Sequence, residues 1–134
     1  MPRFELATTI SLVKISLGGK VALADLSDTE REVVRECLRA AVEGPFFPEW
    51  EFHTLFGVTR AEVKGVVNSW PNVDESDETV ILAINNSLNN LLGYPLGREE
   101  EDWPKFISVS REEVGRIFLK WKGQRVRNYF SELM

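Results

Sequence analysis

Along most of this chain apolar residues recur at helical spacing, and the exception lies at its start. Over residues 4–17 the positions that favour strands alternate, at Phe4, Leu6, Thr8, Ile10 and Leu12, then change phase to Val13, Ile15 and Leu17. A two-residue period is that of a half-buried strand, and the slip in phase marks a bulge or bend. Gly18-Gly19 separates this run from a second one over 20–26, and paired glycines accept the positive φ angles of a two-residue turn. The pattern predicts an N-terminal β-hairpin over residues 1–26.

From Ser27 onward the period becomes helical. Ser27-Asp28-Thr29-Glu30 is a capping box, followed by Val33, Val34, Cys37, Leu38 and Ala41 on one face, and Gly44-Pro45 ends the helix. Pro48 suits the first turn of a short second helix that stops at Gly57. Thr59 and Glu62 form another capping box, opening a helix with Val63, Val66, Val67 and Trp70 that halts before Pro71. An acidic stretch over 72–78 precedes a helix of about 77–92, its carboxylates at the end where the helix dipole favours them. Val80, Ile81, Ile84, Leu88, Leu91 and Leu92 lie along one side of it, and Gly93 and Pro95 close it.

Lys105-Phe106-Ile107-Ser108-Val109 reads as a short third strand. A third capping box, Ser110 with Glu113, starts a helix bearing Val114, Ile117, Phe118 and Trp121. After Gly123 a stripe of Val126, Tyr129, Phe130 and Leu133 is out of phase with it, which predicts a break or kink at the glycine. The expected fold is α+β and helix-dominated: four or five helices packed with the hairpin and the strand at 105–109. An all-α arrangement with an extended N-terminal arm is the alternative. At 134 residues the chain fits one domain, made of the hairpin (1–26), a helical body (27–122) and a basic C-terminal helix (123–134).

Charge narrows the function. The formal net charge is −5, which disfavours nucleic acid, since that affinity comes largely from Lys and Arg displacing counterions. Residues 1–110 hold ten basic and eighteen acidic side chains, whereas residues 111–134 hold six basic and three acidic. The chain is an acidic body with a basic tail. No apolar run reaches the roughly 20 residues of a membrane span, and the N-terminus has no signal-peptide pattern, so the cytoplasm is the expected compartment. One cysteine and one histidine cannot form the usual zinc site, and no cofactor or metal is expected.

Three sets of residues carry candidate binding chemistry. Asn85, Asn86, Asn89 and Asn90 sit inside a helix, where asparagine is a poor former. Their carboxamides can pair with the main chain of an extended segment, in a partner or in this protein's own loops. They form the leading partner-binding face, with Tyr94 and Trp103 as neighbours. Pro48 to Trp70 reads as helix, turn, helix, and in a DNA-binding version Arg60, Lys64 and Asn68 would read bases. His53 there replaces the small residue that usually lets the helices approach, and Glu49, Glu51 and Glu62 oppose a phosphate backbone. Lys120, Lys122, Arg125 and Arg127 interleave with Trp121, Tyr129 and Phe130, a pattern that fits single-stranded RNA or, more simply, a helix docked on the acidic body or on a second copy.

Catalysis has little support. Cys37 falls on the apolar side of its helix, and His53 has no serine or second histidine in a hydrolase motif. Glu99-Glu100-Glu101-Asp102 lacks the alternating ligands of a calcium loop and reads as a solvated loop. The expected function is a non-enzymatic protein-binding module, an acidic inhibitor or immunity-type protein that masks a basic partner. Homodimerisation through the C-terminal helix, a helix-turn-helix DNA-binding regulator, and a small carboxylate-dependent enzyme are the alternatives.

Overall fold

The structure, a computed structural model, describes residues 22–133, with the backbone alone described at residues 98 and 125–133. Six helices follow one another: α1 (Asp28–Glu43), α2 (Glu49–Phe56), α3 (Arg60–Ser69), α4 (Glu78–Gly93), the single turn α5 (Trp103–Phe106) and α6 (Arg111–Leu133). Short 3-10 turns occupy Leu23–Asp25 and Arg98–Asp102.

Among the described residues there is no strand, so the α+β expectation is corrected to an all-helical body. Local capture of the backbone explains both errors. At the start, the Ala22 and Leu23 N–H groups donate to the Glu75 carboxylate (3.1 and 3.0 Å), and the chain coils into Leu23–Asp25 instead of extending along a partner strand. Residues 1–21 of the expected hairpin, or arm, lie outside the described residues. At the expected third strand, Lys105 and Phe106 complete α5, the Ser108 N–H donates to Glu36 (2.9 Å), and the Val109 carbonyl accepts from Trp103 Nε1 (2.9 Å). Side chains of the same domain thus take hydrogen bonds that a ladder would have used.

The helix starts follow the sequence signals. Both members of the capping boxes at Ser27 and Thr59 are in place, and Ser110 Oγ accepts from the Glu113 N–H. Gly57 ends α2 at φ 73°, a left-handed conformation in which glycine has no Cβ penalty. At Gly44 a Cβ would meet the Ala40 carbonyl at 2.6 Å. α6 runs unbroken through Gly123, so the expected break is absent.

The centre of the domain is α4. It packs against α1, α2, α3 and α6 and is buried around nearly its whole circumference, including Ile81, Ile84, Leu88 and Leu91 and, with them, Asn85, Asn86, Ser87 and Asn90. A helix enclosed by neighbours has no polar face to give to water. α1 lies across α3 and α4 and supplies Val34, Cys37, Leu38 and Ala41 to the same core, while α6 adds Val114, Ile117, Phe118 and Trp121.

Candidate functional site

The asparagines of α4 are occupied within the chain. Asn86 donates to the Phe56 carbonyl (2.7 Å), Asn90 to the Leu55 carbonyl (3.0 Å), and Asn85 to the Asn86 side chain (3.1 Å). Those two carbonyls are among the last of α2, groups that no intrahelical N–H can reach. The carboxamides therefore cap α2 from inside the core, and only Asn89 of the four is partly exposed. Of their expected neighbours, Trp103 is buried beneath the guanidinium of Arg111, 5.0 Å from its ring centre, and Tyr94 is half-buried beside the α1–α2 connection.

Arg60, the first of the expected base readers, is likewise used internally. Its guanidinium donates to the carbonyls of Ala41 (3.1 Å), Val42 (2.7 Å) and Phe47 (2.9 Å) and pairs with Glu49 (2.7 Å), while stacking on Phe52. One side chain thus closes the end of α1 onto the starts of α2 and α3. Lys64 and Asn68 are exposed on α3, with Glu43 and Glu49 lining the same hollow as Lys64.

On α6, Lys120 joins Arg116 in gripping Glu30, each at 2.9 Å. Glu30 is buried, and its carboxyl is held down at about 2 from the usual 4.5, by the Ser27 N–H first and by Lys120 and Arg116 after it. Next to Lys120 in the chain, Trp121 donates from Nε1 to Glu75 (2.9 Å), the carboxylate that also holds Ala22 and Leu23. Lys122 lies over the Phe118 ring at 5.5 Å; Arg125 and Arg127 are in the helix, their side chains outside the described set. The basic helix is thus docked along the acidic body by two buried carboxylates.

Of the nucleophile and base candidates, Cys37 is fully buried and its thiol is pushed far above the usual range by that burial and, less, by Glu36. A thiol kept protonated is inert. His53 is exposed on α2. Among the described residues no group of three or more His, Cys, Asp or Glu side chains is placed to hold a metal ion, and no described helix is long and apolar enough to cross a membrane.

What the surface does offer is a pair of hollows on either side of the acidic 3-10 turn Arg98–Asp102. One, of about 660 Å³, runs along Trp103, Pro104, Ile107 and Val109, with Glu100 and Glu112 at its edge. The other, of about 270 Å³, is walled by Pro45, Pro48 and Pro95, floored by Phe47 and Tyr94, and open beside Glu99. Tyr94 donates its hydroxyl to Glu51 (2.7 Å); that bond, then burial and the charges of Glu51 and Glu99, raise the phenol above its ordinary value.

No protein-family model, curated protein or solved structure matches the chain. The sequence pointed to Tyr94 and Trp103, one in each hollow, but not to the hollows, because one is assembled from segments nearly fifty residues apart and the other from the turns between residues 100 and 112. The available signal was the repeated neighbourhood of proline and aromatic residues, Pro45-Phe46-Phe47-Pro48 and Tyr94-Pro95, close before a run of four acids.

Proposed function

We propose that this protein is a non-enzymatic, cytoplasmic binding module for a basic protein, with the turn Arg98–Asp102 and its two flanking hollows as the contact surface. The observation that carries the reading is the position of the acidic turn: Glu99 lines one hollow and Glu100 the other, while Glu101 is exposed. Carboxylates beside hollows lined by proline and aromatic side chains combine the two ingredients of selective docking, anchor sites and charge complementarity. The interior adds no competing chemistry, because its buried asparagines, Glu30, Glu75 and Cys37 are engaged with the chain itself or inert. A helix-turn-helix role is less well supported, since Arg60 is bound to three carbonyls of its own domain.

The test is affinity capture from native lysate with the intact protein and with the triple variant E99Q/E100Q/E101Q, followed by competition with polyarginine and polyglutamate. A stoichiometric basic partner, reduced at least about tenfold by the variant and displaced both by polyarginine, which competes for the acidic turn, and by polyglutamate, which competes for the partner, supports the proposal. Equal capture by both proteins, or a captured partner that is acidic, overturns it, as does measurable binding of random duplex at low salt in its place.

A further inference from the structure

Three arginines in this domain are held the same way. Arg60 lies over Phe52 (4.4 Å) and pairs with Glu49; Arg111 lies over Trp103 (5.0 Å) and pairs with Glu100; Arg39 lies over Phe106 (5.7 Å) and pairs with Glu43. Each is a guanidinium between an aromatic face and a carboxylate, an arrangement that serves arginine because its flat, weakly hydrated cation stacks and forks at once. The cleft of about 270 Å³ has the aromatic and acidic members of this arrangement, Phe47, Tyr94 and Glu99, with Glu51 behind the Tyr94 hydroxyl. Among the described side chains no cation pairs with Glu51 or Glu99, although the neighbouring Glu49, Glu100 and Asp102 each have one.

We propose that this cleft binds the side chain of an arginine presented by the basic partner, its guanidinium against Tyr94 and Phe47 and paired with Glu99. The inference rests on the reading of the protein as a module for a basic partner, and it names the residue type recognised and the place. Size agrees: the cleft falls just below the roughly 300 to 1,000 Å³ of pockets for drug-sized ligands, a fit for one side chain. Pro45, Pro48 and Pro95 fix its walls, so little order is lost on binding. The edge-to-face contact of Phe47 with Tyr94, centroids 5.4 Å apart, and the Tyr94–Glu51 bond hold the floor in place before any ligand arrives. Glu99 in the lining and Glu51 behind the Tyr94 hydroxyl, neither paired with a cation among the described residues, concentrate a negative field at the mouth.

The experiment is a titration of the full-length ¹⁵N-labelled protein with N-acetyl-arginine amide, with its neutral isostere N-acetyl-citrulline amide, and with N-acetyl-lysine amide. Saturable shifts at the amides of Phe47, Tyr94 and Glu99 are expected for arginine, with affinity about tenfold or more weaker for citrulline and several-fold weaker for lysine. E99Q lowers the arginine affinity about five- to tenfold, while E78Q, at an exposed carboxylate that lines neither hollow, leaves it unchanged. Absence of saturable shifts at those amides, equal binding of citrulline or lysine, or indifference to E99Q overturns the proposal. If the basic partner is still captured through the acidic turn when these shifts are absent, the cleft assignment falls and the binding-module reading stands. If arginine amide binds as described but no basic partner is captured, the reading falls and the cleft remains an arginine site.

Discussion

At the residue scale, the stability of this domain depends on a few polar side chains that reach backbone groups no helix can satisfy. Arg60 is the plainest case, since its planar fork meets three carbonyls and Glu49 together. A lysine keeps the charge but cannot reproduce that geometry. Arg60→Lys is expected to cost about 2 kcal/mol and Arg60→Ala about 3 kcal/mol in urea denaturation at neutral pH; a loss within the noise of the measurement would show that the carbonyls find other partners. Asn86 is the buried counterpart. Asn86→Ala leaves the Phe56 carbonyl without a donor and opens space in α4, so a loss of about 1 to 3 kcal/mol follows. Asn86→Asp loses more, since it replaces the donor with a charge that has no described cation beside it.

At the element scale, α6 is held by carboxylates of other elements, and one of them gives its docking a pH dependence. Glu30 receives Arg116 and Lys120 from α6 and the Ser27 N–H from the cap of α1. Its pKa in the folded protein, about 2, lies below the usual 4.5. The ionised form is thus favoured by folding: its contribution is complete above about 4.5 and is lost as pH falls toward 2. Thermal unfolding followed from pH 7 to pH 2 should therefore show a shallower acid limb for Glu30→Gln than for the unmodified protein. Parallel limbs would mean that Glu32, Glu62, Asp74 and Glu113, whose carboxyls are also lowered, account for the acid loss. The same elements mark what the sequence could and could not tell. Helix starts were legible because a capping box is satisfied within four residues, as at Ser27 and Thr59. The fates of 22–26 and 105–109 were not, because Glu75 and Glu36, far away in the chain, took the backbone donors. The asparagines drew attention in sequence as residues ill suited to a helix, yet their burial depended on α4 being enclosed by four other helices. The arginine cleft lay further out of reach, since residues 45–48, 94–95 and 99 meet only once α1, α2 and α4 have packed.

At the scale of the whole molecule, what matters is where the excess negative charge is left after the domain has neutralised part of it internally. The basic helix α6 gives Arg116 and Lys120 to Glu30 and, through Arg116, to Glu113, so those cations are already engaged with carboxylates of the fold. Glu51 and Glu99 have no such cation among the described residues; Glu99 lines the cleft and Glu51 accepts from the Tyr94 hydroxyl at its floor. A basic partner approaching this protein should accordingly be steered toward the acidic turn, with an association rate that depends on ionic strength. Raising salt from about 0.01 M to about 0.15 M shortens the screening length from about 30 Å to about 8 Å, and the association rate measured by stopped flow should fall about tenfold or more. In E99Q/E100Q/E101Q the rate at low salt should start lower and vary less with salt, while dissociation changes chiefly with E99Q, the substitution inside the cleft. A rate that is flat in salt, or a triple variant with the same slope as the unmodified protein, would remove the acidic turn as the steering surface. It would point instead to the exposed face of α2, where Trp50 stands 81% exposed, the most exposed large apolar side chain among the described residues, ahead of Leu119.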